Sequence, residues 1–171
     1  MQCDINGDLA LLARCETIRA HAAVAMGLAR SSEQATTEQP HTPKLAFFAK
    51  PTPYVASNGR LVCATDVDLN ARIVSMGKLH HAMTGTGAVA IAVAATIPGT
   101  VVYELLHEVQ AVGQDKRVEA KIRFGHPSGV TAVSAEAERC DGVWHMTKVS
   151  LSRSARTLME GWVCVPEGYL S

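Results

Sequence analysis

Ten consecutive residues, Ala88-Val89-Ala90-Ile91-Ala92-Val93-Ala94-Ala95-Thr96-Ile97, carry a single polar side chain, and they stand between Gly85-Thr86-Gly87 and Pro98-Gly99. This pattern predicts a helix over about 86–97. A helix that is apolar on every side has to be buried. It is also far short of the roughly 20 residues that cross a bilayer. What remains is a helix at the centre of a domain, wrapped by other elements. Its alanines let those elements come close, and the composition agrees, with 47% hydrophobic but only 5% aromatic residues.

The surrounding chain supplies the wrapping. Asn6 or Asp8 can cap an amphipathic helix that runs to about residue 26, where Gly27 ends it. Leu11, Cys15, Ile18, Ala22 and Ala25 form its apolar stripe, with Arg14, Glu16 and Arg19 mainly off it. Residues 30–43 are Ser, Thr, Glu, Gln and Pro-rich and read as a polar connector. Extended segments follow at 44–49 and 71–75, and Asn58-Gly59 marks a hairpin between Tyr54-Val55 and Leu61-Val62. Further strands are expected at 117–123, 130–137 and 143–151, with turns at 125–129 and at Asp141-Gly142, and a last extended stretch over 155–165. Strands around one buried helix make an α+β domain. The expected organisation is an N-terminal helix over 1–29, the connector over 30–43 and the main domain over 44–171.

Charge and cysteine usage narrow the function. Lysine plus arginine and aspartate plus glutamate both total 16 in 171 residues. A neutral chain has no electrostatic footprint for nucleic acid or an anionic membrane surface. The five cysteines, Cys3, Cys15, Cys63, Cys140 and Cys164, are scattered and form no CxxC pair. That usage fits reduced thiols in the cytoplasm better than a disulfide or zinc framework. No secretory leader is expected from the short apolar run 9–13, which Arg14 closes.

The start of the central helix carries the clearest chemical signal. Gly85-Thr86-Gly87 would expose backbone N–H groups at a positive dipole end, with Thr84 and Lys78 just upstream. This is either a seat for a carboxylate or phosphate, or simply an N-cap. His80-His81 has no carboxylate or cysteine at ligand spacing, so contact with a substrate, or a structural role, is expected rather than metal binding. His126 is either a base or a hydrogen-bonding anchor within its turn. Arg153 and Arg156, three apart on a strand, would face opposite ways.

Several of these motifs, in order, resemble the PrpF family of aconitate-type isomerases. They are Ser75-Met76-Gly77-Lys78-Leu79-His80-His81-Ala82-Met83-Thr84-Gly85-Thr86-Gly87-Ala88-Val89-Ala90, then Ile97-Pro98-Gly99-Thr100, then Arg123-Phe124-Gly125-His126-Pro127-Ser128-Gly129 and 152–161. The first helix fits as well, through Ile18-Arg19-Ala20 and Ala25-Met26-Gly27-Leu28. The resemblance implies one half of a diaminopimelate-epimerase-like fold, a curled and mostly antiparallel sheet wrapped around a central apolar helix. It also implies cofactor-independent isomerisation of unsaturated tricarboxylates such as 2-methylaconitate, by proton transfer at carbon and without a metal.

By that resemblance Gly85, Thr86 and Gly87 would hold a carboxylate, and Ser75, Lys78, His80 and His81 would line the rim. His126, Ser128 and Arg156 are secondary candidates. Thr84 stands where related epimerases carry a catalytic cysteine, but a threonine hydroxyl is far less acidic and suits donation better than base chemistry. Family members are about twice as long, and the recognised motifs belong to their C-terminal half. A one-walled cleft cannot place two acid/base groups across a substrate. The chain is therefore expected to be incomplete as an enzyme alone, completed by a second copy in a homodimer or by a complementary half. The alternative is a non-catalytic carboxylate-binding or self-associating module of the same descent.

Overall fold

The computed structural model describes residues 2–107, 117–152 and 155–166. The N-terminal region holds three helices, α1 (Gln2–Gly7), α2 (Leu9–Ala25) and α3 (Ser32–Glu38). Asp8 caps α2 by accepting from the Leu11 amide at 2.9 Å. Asn6 does something else: its side chain accepts from the Leu79 amide at 2.7 Å and ties α1 to the main sheet.

The buried face of α2 is not the expected stripe. Cys15, Arg19, Ala20 and Ala23 are buried, whereas Ile18 is 55% exposed. Small side chains are chosen over larger ones because α3 packs close, with Ala35 fully buried against Ala20 and Ala23. The stretch 30–43 is thus not only a connector. Ser31 caps α3 by accepting from the Gln34 amide, and Arg19 donates to the carbonyls of Ala35, Gln39 and Thr42. A buried guanidinium supplies the order that a polar sequence could not draw from hydrophobic burial.

Beyond it come β1 (Leu45–Ala49), the hairpin β2 (Tyr54–Val55) and β3 (Leu61–Val62), β4 (Leu69–Ser75) and β5 (Lys78–Leu79). Met76 and Gly77 both have positive φ, at 50° and 71°, which is the geometry of the tight turn joining β4 to β5. Two helices follow, α4 (Gly85–Ala94) and α5 (Val101–Leu106). A meander closes the fold: β6 (Arg117–His126), β7 (Gly129–Cys140) and β8 (Val143–Leu151).

The main sheet runs β1-β4-β6-β7-β8, with β5 pairing β4. Every pairing is antiparallel except β4 with β6, which meet in parallel at Leu69↔Phe124 and Asn70↔Gly125. The protein is a mixed α+β fold on a mostly antiparallel sheet. Strands β6 and β7 reach further than their sequence pattern, so the turn between them shrinks to Pro127 and Ser128. Residues 155–165, expected as an extended stretch, form no strand and are exposed, as is Pro166.

Helix α4 lies on this sheet and supplies Ala88, Ile91 and Ala92 to the core, with Ala95 just beyond its end. Leu69, Ile73, Ile122, Phe124 and Val133 meet them from the strands. The helix is shorter than expected, because the chain tightens after Ala94 and Thr96 donates its hydroxyl to the Val93 carbonyl. Nor is it wrapped all round: Ala90 is exposed and Val89 half-buried. No described helix is long and apolar enough to cross a membrane.

Candidate functional site

The start of α4 is built by Thr84. Its hydroxyl accepts from the Gly87 amide at 3.1 Å, and its carbonyl accepts from the Ala88 amide at 2.8 Å. A side chain at Gly87 has no room. A Cβ there would stand 2.5 Å from Thr84 Oγ1 and 2.6 Å from Ile73 Cδ1. The amides of Gly85 and Thr86 take no partner among the described residues. The open end of the helix therefore presents two backbone donors with its positive dipole end behind them.

Two hollows flank this end. One, of about 330 Å3, is lined by Met83, Gly85, His126, Thr131 and Ser152 among others. The other, of about 320 Å3, brings Thr86 and Gly87 together with His41, Lys44 and Ile73. A further hollow, of about 460 Å3, lies against the β2–β3 hairpin and includes, of the candidate site residues, Ser128 alone.

The remaining candidates fall into groups. Ser75 and Lys78 face each other across the β4–β5 turn, with Lys78 exposed. His80 Nδ1 lies 2.6 Å from the Ala82 carbonyl, shaping the approach to α4. Ser128 donates its hydroxyl to the His81 carbonyl at 2.6 Å, which joins the β6–β7 turn to that approach. Arg156 stands in the exposed segment 155–166 and makes no hydrogen bond or ion pair with this group among the described residues. Arg153 lies outside the described residues.

His126 is buried at the end of β6. The Ser128 amide donates to its Nδ1 at 3.2 Å, and its Nε2 lies 2.9 Å from Thr131 Oγ1. Burial, with help from the nearby charges of Arg72 and His81, pushes its pKa down to about 4. At neutral pH the ring is uncharged.

Behind His126 stands a polar cluster that the sequence reading missed. Tyr54 places its hydroxyl 2.6 Å from the Gly129 carbonyl and 2.9 Å from that of His126. Arg72 donates to the carbonyls of Ala71 and Gly125 and lies 5.1 Å from the centre of the Tyr54 ring. Asn70 donates to the carbonyl and hydroxyl of Thr52. A Cβ at Gly125 would stand 2.4 Å from Asn70 Oδ1, so glycine is required there. The signal was present in β4, where Asn70 and Arg72 interrupt an apolar run two residues apart and so share a face.

Comparison with known proteins agrees with this architecture. Residues 1–166 match the family described as PrpF protein. A 2-methyl-aconitate isomerase from Shewanella oneidensis is 53% identical over 167 residues, covering 98% of this chain and 40% of that protein. A 3-methylitaconate isomerase from Eubacterium barkeri is 38% identical, covering 97% and 41% respectively. The crystal structure of a methylitaconate-delta-isomerase superposes with a TM-score of 0.69 at 31% identity, over 89% of this chain and 40% of that one. The chain thus spans about 40% of the length of these relatives.

Proposed function

This chain belongs to the PrpF family, and on that premise we propose that it forms one carboxylate-binding wall of a cofactor-independent isomerase. The substrate class is an unsaturated tricarboxylate or dicarboxylate of the 2-methylaconitate type, and the reaction moves a proton at carbon. One observation carries the reading. At the open start of α4 Gly85 lines one hollow and Thr86 the other, their amides take no partner among the described residues, and Gly87 is kept bare by Thr84 and Ile73. Such donors suit a carboxylate whose negative charge grows as a neighbouring carbon loses its proton.

The same geometry limits what this wall does. In this reading Thr84 caps the helix and positions the donors, and is assigned no role as a base. Lys78, His80, His81 and Ser128 shape the approach. The acid and base are not assigned to this wall, and a second wall, either another copy of the chain or a complementary half, completes the cleft. Titrating trans-aconitate into the chain while following backbone amide resonances tests this. Shifts centred on Gly85, Thr86 and Gly87, with no aconitate isomerisation by the monomer, are expected. Turnover by the monomer overturns the division of labour, and absence of binding overturns the carboxylate seat.

A second reading, self-association without catalysis, is favoured by a different observation. Leu158, Met159, Trp162 and Val163 are all more than three-quarters exposed. So much bare apolar surface on one short segment favours a partner.

A further inference from the structure

We propose that Thr131 is a substrate-contacting hydroxyl in the hollow beside Gly85, with its proton aimed into that hollow by His126. The inference deepens the carboxylate-wall reading and rests on it. The direction of each hydrogen bond follows from donor and acceptor chemistry. A backbone amide can only donate, so the Ser128 N–H fixes Nδ1 of His126 as an acceptor. The ring is neutral, held so by its burial and by the charges of Arg72 and His81. Its one N–H therefore sits on Nε2 and donates to Thr131 Oγ1, 2.9 Å away. With an acceptor site of Thr131 occupied by the ring, the threonine's own O–H is left to donate. Thr131 is half-buried and lines the hollow of about 330 Å3 that also contains Gly85 and Ser152. A neutral imidazole thus converts a backbone amide of the β6–β7 turn into an oriented hydroxyl donor at the hollow. The ligand group it suits is a carboxylate oxygen, a second one beside that taken by the helix amides. His126 acts through Thr131 and is a positioning residue.

The test uses the 171-residue chain and trans-aconitate as the probe. Long-range nitrogen spectra of the imidazole should show His126 protonated on Nε2 and bare on Nδ1; the opposite tautomer overturns the relay without reference to any ligand. Thr131→Val keeps the shape and removes the hydroxyl, and should weaken aconitate binding by roughly tenfold or more, while Thr131→Ser retains it. His126→Gln keeps an N–H near the Nε2 position and should retain binding. His126→Leu should lose it to the extent that Thr131→Val does. Unchanged affinity in Thr131→Val, with wild type binding normally, overturns this inference and leaves the carboxylate seat standing. Failure of the wild-type chain to bind aconitate overturns both.

Discussion

Gly87 shows how much one missing side chain can matter. In an ordinary helix, replacing glycine with alanine gains up to about 1 kcal/mol. Here the new methyl would collide with both the cap of its own helix and Ile73 of β4. Gly87→Ala is expected to destabilise by about 1–3 kcal/mol, because the clash and the displaced cap outweigh the helical gain. Urea denaturation measures it, and a neutral or stabilising result would show that Thr84 can move aside without cost. His126 makes a second prediction at this scale. Its folded-state pKa lies near 4, below the usual 6.5 of the unfolded chain, so between these values the unfolded state binds more protons. Stability should therefore fall as pH drops from about 6.5 toward 4, the loss attributable to this group levelling off below that. Comparing unfolding at pH 7 and pH 5 for wild type and His126→Gln checks it. Equal pH slopes in the two proteins would contradict the assignment.

Among the elements, the pair α2–α3 depends on a single arginine. Arg19 is 3% exposed, bonds Glu16 in a bidentate pair and serves three carbonyls of the segment 35–42. Arg19→Met would leave a partly buried carboxylate and three unmet carbonyls, and should cost about 3 kcal/mol by chemical denaturation. A change below half a kcal/mol would mean that water replaces the guanidinium. The same arginine explains where the sequence pattern misled. Hydropathy places Arg19 outside a stripe that includes Ile18, yet close packing of Ala20, Ala23 and Ala35 turns the buried face away from Ile18 while keeping Cys15 in it. Helix α3 was hidden for the same reason: its order comes from a long-range guanidinium contact that periodicity does not record. By contrast, Asp141-Gly142 and Asn58-Gly59 were legible because their turns are local. Asp141 and Gly142 have φ of 52° and 83°, values set by residue type. The start of α4 was legible too, whereas Thr131 was not, since only β6–β7 register brings it within reach of His126.

For the molecule as a whole, the proposed reading makes function depend on a second wall. The exposed apolar segment 155–166 gives association a physical basis. Under the self-association reading, size-exclusion chromatography with light scattering should find a species of twice the chain mass, and Met159→Ser with Trp162→Ser should return it to the monomer. A wild-type chain that stays monomeric at high micromolar concentration would exclude the homodimer and leave a complementary half as the second wall.

The parallel seam between β4 and β6 carries one more consequence, for the order of folding. Strands β6, β7 and β8 are joined by tight turns and can zip up locally, as can the β4–β5 hairpin. The two groups pair at two rungs, Leu69↔Phe124 and Asn70↔Gly125, reinforced by Arg72 on the Gly125 carbonyl and by Asp68 and Arg123, which lie 55 residues apart. Closing that interval requires α4 and α5 to be folded into the crossing between them. Contacts so distant in sequence impose a loop entropy that local pairing does not. Joining at this seam is therefore expected to be the slow step of folding, with the buried Asn70 and Gly125 at one of its two rungs, so that the site forms only once the seam has closed.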